Sequence, residues 1–429
     1  MAKPKLALIP ASQGSELISV LPSSGVGDFD FSRSGKATRI NSQGLIEEVS
    51  NGQSRLNYPM IDGKVVGCPH HILENSATNL VTYSEDFSNS YWALQRVSIL
   101  SNNEIAPNGT LTATKFTEDT SNNSHQTRPS SVISLNIGQA YTFTCFAKKS
   151  ERKEFRIENV GQYGVYFDLE NGTRVEDSAS QIINSEIKEL SNGWYKCSVT
   201  IKETSRTADY IYLQIAKDGS KSYQGDGSSG IYIYGAMLEQ SSYSTSYIPT
   251  NGSAVTRSAE TANGSGDAAT FNDSEGVLMA EINFKNQFGV SRYLGLHGLN
   301  ASNRVIIGNS ANTSDLTCFV ISNGSNLFQK TISLSDISTS HKIVLKYKTN
   351  DFALWVNGFE LEVGSVGDTS NGSLNELSFV GVVPSTQPFY GKTKQVQYFD
   401  STLTDSELEQ LTSWTSFTDM AEGQLYTIE

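Results

Sequence analysis

Along most of this chain apolar side chains alternate with polar ones, and only one stretch near the end repeats at helical spacing. Phe29-Asp30-Phe31-Ser32 places two rings on one face of a short strand and leaves the other face polar. Asn41, Gly44, Asn51-Gly52 and Asp62-Gly63 mark turns about every ten residues through the same region. Further strands are expected at 141–147, 164–169, 192–201, 210–215 and 231–239, and Asn171-Gly172 supplies a hairpin turn after the second of these. Strand signals resume at 276–282, 304–308 and 317–321. Then comes the clearest hairpin pair: 341–347, a turn at Thr349-Asn350-Asp351, 352–356, a turn at Asn357-Gly358, and 359–363. Near the end, Thr404 with Glu407 three residues on forms a capping box, and Leu408, Leu411 and Trp414 share one face of a short helix.

These patterns give an all-β chain: an irregular N-terminal segment followed by two β-sandwiches in series. The expected divisions are a β-rich head at 1–75, a jelly-roll sandwich at 76–260, a second sandwich at 268–416, and an acidic tail at 417–429. Thr261-Ala262-Asn263-Gly264-Ser265-Gly266-Asp267 is small and polar and reads as the joint between sandwiches. The head is too short of apolar residues to bury a full core alone, so it must dock on its own sandwich or on copies of itself.

Composition narrows the function. A net charge of −13 with no basic run argues against a general nucleic-acid binder, which needs a basic surface to displace counterions. Seven acids and no base fall in residues 400–429, more than half of the acidic excess, and mark a solvated end. No apolar stretch approaches the ~20 residues of a membrane span, and the start lacks a signal-peptide core. Cys68, Cys145, Cys197 and Cys318 show no metal-ligand spacing. Cys145 and Cys197 fall on two strands of one sandwich, yet buried thiols suit a chain made in a reducing cytoplasm better than a disulfide.

Catalytic constellations are sparse. Glu47-Glu48 and Glu85-Asp86 are adjacent pairs, so on strands their carboxylates diverge and cannot share a substrate as glycosidase pairs do. His70-His71 diverge likewise, which favours a structural loop over zinc. No Gly-x-Ser-x-Gly elbow is present. No cofactor is called for; Asp267, Asp273, Asp351 and Asp368 are calcium candidates only by residue type, and turn chemistry explains them as well. Sugar binding needs exposed rings for the apolar faces of pyranoses. Tyr223, in a Gly-rich loop, and Tyr163, between Gly161 and Gly164, are the candidate glycan contacts, whereas Trp92, Trp194 and Trp355 sit on strand-like stretches as core.

The run from Leu8 to Trp92 also carries a resemblance. Gly27-Asp28-Phe29-Asp30-Phe31-Ser32-Arg33-Ser34-Gly35, Cys68-Pro69-His70-His71-Ile72-Leu73-Glu74, Thr78-Asn79-Leu80 and Tyr83-Ser84-Glu85-Asp86-Phe87 resemble, in order, the start of bacteriophage fibre and spike proteins. The resemblance continues more loosely to Arg257. Asn192-Gly193-Trp194-Tyr195, Gly235-Ala236-Met237-Leu238-Glu239 and Thr245-Ser246-Tyr247-Ile248-Pro249-Thr250 resemble a jelly-roll carbohydrate-binding module, and the stretch from His341 to the capped helix resembles a laminin-G or concanavalin-A-like sandwich. The resemblance implies a non-enzymatic virion structural protein, a fibre, spike or decoration subunit assembled in the host cytoplasm. Its implied partners are other virion proteins and host-surface glycans, and its implied state is a homo-oligomer, with a trimer favoured. A purely structural capsid or tail protein and a capsule depolymerase are the rival readings.

Overall fold

Alternation turns into strand at nearly every place where the sequence shows it. The computed structural model describes residues 2–9, 11–285, 290–311, 315–370, 372–382 and 387–414; the expected tail at 417–429 lies outside them. Among the described residues the strands all pair antiparallel, and one 3-10 turn and one terminal helix, Asp405–Ser413, complete the secondary structure.

The first sandwich is two facing sheets. One runs in the order Val97–Ile105, Leu111–Glu118, Gly230–Glu239, Ala140–Lys149, Trp194–Lys202, Ile182–Glu189. The other runs Trp92–Gln95, Asn122–Pro129, Ile211–Ala216, Glu154–Asn159, Gly164–Asp168, Thr173–Glu176. Alternate residues, among them Phe143, Cys145, Phe155, Phe167, Val199, Leu213 and Ile231, fill the space between them. Each such side chain contributes about 1.5–3 kcal/mol by leaving water. Cys145 and Cys197 stand directly opposite each other on paired strands as free, buried thiols.

The second sandwich pairs a five-stranded sheet with an eight-stranded one. The expected hairpin pair forms as His341–Lys348, Phe352–Val356 and Phe359–Gly364. Asn357 (φ 52) and Gly358 (φ 89) are both left-handed, the condition for the tight turn that matches strand twist. The capping box closes as expected: the Glu407 amide donates to Thr404 Oγ1, and the Thr404 amide donates to Glu407 Oε2 at 3.0 Å. Leu408 and Leu411 pack on the outward face of the eight-stranded sheet, against Met279, Val344 and Trp355.

The head does not stand apart from the sandwiches. Leu6–Leu8 and His70–Leu73 both pair with the free side of Gly391–Phe399, with Leu6 opposite Tyr398 and Leu73 opposite Gly391. An open edge would otherwise invite pairing with another chain. Leu6, Leu8, Leu17 and Phe29 are almost fully buried and belong to the core of the second sandwich. On its other side the head lays Ile46 and Met60 on Phe146, Trp194 and Tyr247, the outward face of the first sandwich.

The joint differs from expectation for the same reason. Thr261–Asn263 is a strand paired with Phe29–Ser32, Ala262 is fully buried, and Ser265 donates a hydrogen bond to the Gly27 carbonyl at 2.7 Å. Small polar residues read alike in a flexible linker and in a tightly packed crossing.

A buried ion cluster ties the three stretches together. Glu260 accepts from Arg33 at 2.9 Å and from Arg55 at 2.8 and 2.5 Å; Glu74 meets Arg55 and Arg257, each at 3.0 Å. All five side chains are sealed from solvent. Ser246 adds its amide and hydroxyl to Glu74, and Arg55 also donates to the Thr38 carbonyl at 2.8 Å. Burial alone would raise the Glu74 carboxyl, but the Arg257 and Arg55 charges hold it well below the usual carboxylate range.

His70 and His71 are both buried in the strand that joins head to sandwich. Burial pushes His71 down to about 4, and burial with the nearby Lys392 and Lys188 charges pushes His70 well down. The folded state therefore favours the neutral rings. Their contribution is fully present above the ordinary histidine value and drains away as the solution is acidified, at ~1.4 kcal/mol per histidine per pH unit. Glu239, raised by burial to about 7, works in the opposite sense over the same range. Two histidines against one carboxyl leave a net loss, so urea midpoints should fall steadily from pH 6.5 to 4.5; a flat or rising profile would contradict this burial.

Candidate functional site

Where head and sandwiches converge they leave a crevice of about 120 Å³. One wall is the outward face of the first sandwich. On Ile182–Glu189, Glu186 and Lys188 are two residues apart and so share that face; Lys196, on the neighbouring strand, lies directly opposite Lys188. The facing wall comes from the second sandwich, with Lys285 just past Glu275–Phe284 and Lys392 on Gly391–Phe399. The floor is head: Ile40, Ile46, Asn57, Ile72 and the inner edge of the ion cluster at Glu74.

The crevice is cationic in a chain that is acidic. Four lysines surround one free-standing carboxylate, Glu186. Among the described residues, no carboxylate lies within ion-pair distance of Lys188, Lys196, Lys285 or Lys392. Lys196 donates to the Thr245 carbonyl at 2.7 Å, and Lys285 stands 5.5 Å from the centre of the Tyr243 ring. Solvent enters, since Glu186 is exposed and the lysines are half-buried, yet protein crowds the walls. Burial and the like charges of Lys188 and Lys285 push Lys392 down to about 7. Burial likewise lowers Lys188 and Lys196. Burial pushes the Glu186 carboxyl up, but the four surrounding lysines outweigh it and hold it below its ordinary value. Such an assembly attracts an anion that brings the missing counter-charge.

The residues singled out in the sequence are placed elsewhere. Tyr223 is a correction: its ring is buried in the first core, and its hydroxyl donates to Glu118 at 2.6 Å, so no sugar can stack on it. The Gly-rich loop around it folds inward because Glu118 also holds Arg152 and the Asp226 amide. Tyr163 is half-buried in the turn that links two strands, its amide donating to Asn159 Oδ1 at 3.1 Å. Trp92, Trp194 and Trp355 are core, as read. Glu47 and Glu48 diverge to Arg39 and Lys36. Asp267 and Asp368 cap their own turns, Asp273 accepts from the Leu374 amide, and Asp351 pairs with Lys346. The described residues contain no group of three or more His, Cys, Asp or Glu side chains spaced to hold a metal.

Sequence reasoning missed the four lysines because they come from strands that meet only in the folded chain. The one local signal was Glu186-Ile187-Lys188, alternating on a strand whose inward face is apolar.

No protein-family model and no curated protein matches this sequence. Solved structures show similarity over about a third of the chain. The Ruminococcus gnavus IT-sialidase CBM40 bound to α2,3-sialyllactose aligns at 13% identity over 33% of this chain and 84% of its own, with a TM-score of 0.28. A heptameric SAP-like pentraxin from Limulus polyphemus aligns at 13% identity over 33% and 71%, with a TM-score of 0.27. The K499G mutant of NanB sialidase from Streptococcus pneumoniae aligns at 14% identity over 33% of this chain but only 24% of that protein, with a TM-score of 0.29.

Proposed function

We propose that this chain is a non-enzymatic structural protein of a bacteriophage particle that adheres to host-surface glycans. The observation that carries the adhesive part is the crevice, an open, charged concavity built jointly by both sandwiches and the head. Its chemistry favours holding over cleaving. Among the described residues Glu186 is the one uncommitted carboxylate there, because Glu74 is saturated by two arginines and Ser246, and the facing acid and base of a glycosidase are not found among them.

The virion part rests on the resemblance of the first ninety or so residues to phage fibre and spike proteins. Adhesion through one weak site per chain becomes useful when copies are joined, which supports a homo-oligomer, with a trimer favoured by the same likeness. The edge strand Phe359–Gly364 adds a physical reason. It leaves Phe359 70% and Val363 61% exposed on a strand that, among the described residues, pairs on one side only, a surface suited to contact between copies. Mass spectrometry of purified particles should find the chain at structural copy number; its consistent absence from intact virions would remove the virion assignment.

A further inference from the structure

We infer that the crevice is an anionic-saccharide site: it takes a sugar whose carboxylate or sulfate sits among Lys188, Lys285 and Lys392. This rests on the adhesive reading and specifies its ligand class.

Three observations point the same way. The lysines come from two separate sandwiches, so their convergence is a product of the whole fold and not of a local charge run. They are brought together without carboxylate partners, whereas other lysines of the chain, such as Lys115, Lys148, Lys330 and Lys394, each have one within 3.0 Å. A fold that leaves like charges facing one another across a crevice is stabilised by an incoming anion. The remaining lining fits a sugar better than a bare ion. Glu186 can accept from ring hydroxyls while the ammonium groups donate, and Ile40 and Ile46 offer an apolar patch for a C–H face.

The crevice also explains why the three stretches are fixed so firmly. The Glu74 carboxylate belongs to the ion cluster on one side and to the crevice floor on the other. The cluster therefore sets the separation of the two lysine walls, and a charged ligand bridging them engages both sandwiches at once.

Calorimetric titration of the full chain with trigalacturonate, galactotriose and sodium sulfate tests the inference. Trigalacturonate should bind, weaken as salt is raised, and lose about tenfold or more in affinity in the double variant Lys188→Gln/Lys392→Gln, which removes two charge-assisted contacts. Glu186→Gln should change affinity in the opposite direction, because it removes the one negative charge facing the ligand. Thermal unfolding of each variant confirms that it is folded. Galactotriose binding as tightly as the acidic trimer, or the double variant binding it unchanged, would overturn the site while leaving glycan adhesion standing. Sulfate binding as tightly as trigalacturonate would reduce the crevice to a simple ion site and overturn the saccharide assignment. Binding of no glycan at all, neutral or acidic, would overturn both this inference and the adhesive reading.

Discussion

Glu260→Gln should lower the unfolding free energy by about 3–5 kcal/mol, because it strands the Arg33 charge and leaves Arg55 to share the single Glu74 carboxylate with Arg257, in a site that water does not reach. A loss of that size is a large part of the roughly 5–15 kcal/mol that holds a typical domain folded. The effect should not be confined to one sandwich. Arg33 and Arg55 belong to the head, and Glu260 follows Val255–Arg257, a strand that pairs with Ala77–Asn79 at the start of the first sandwich. Glu48→Gln is the control. Its partner Lys36 is 67% exposed at 2.6 Å, and the same chemical change there should cost under about 1 kcal/mol. Urea denaturation followed by tryptophan fluorescence measures both; equal effects from the two substitutions would show that the cluster is not sealed as described.

The second large effect concerns the first strand. A chain that starts at residue 10 loses the pairing of Leu6–Leu8 with Val396–Tyr398 and empties two fully buried leucine sites. Truncating one such leucine to alanine costs about 2–5 kcal/mol, and removing the strand also uncovers an edge. Hydrogen exchange should then rise along Gly391–Phe399 and its neighbour Glu275–Phe284, while the first sandwich keeps its protection. By the same reasoning residues 268–414 expressed alone should aggregate, since their core is completed by Leu6, Leu8, Leu17 and Phe29. Undiminished protection of Gly391–Phe399 in the truncated chain would contradict the pairing.

The sequence was most legible where structure is local. The hairpin pair from His341 to Gly364, the Asn171-Gly172 turn and the Thr404 capping box are each written within a few residues, so periodicity and turn chemistry suffice. Val97–Ile105 and Asn122–Pro129 were missed because polar residues outnumber apolar ones in both; they are strands because flanking strands pair with them, not by propensity. That the head must dock was legible from its lack of a full core; which partner it takes, and that its strands weave into the second sandwich, was not. Leu6-Ala7-Leu8 is apolar enough for any buried strand, and nothing in it names Val396–Tyr398 as partner across nearly four hundred residues. The crevice lysines and the ion cluster beside them were hidden for the same reason: nothing in the sequence near Arg55, Glu74 or Glu260 names the others as partners.

The most direct test of the account exposes the whole protein to an array of polysaccharides and then sizes the bound polymers. The account predicts retention on a subset that carries acidic sugars, with polymer length unchanged after prolonged contact. Shortened chains, or no retention on any polysaccharide, would contradict it.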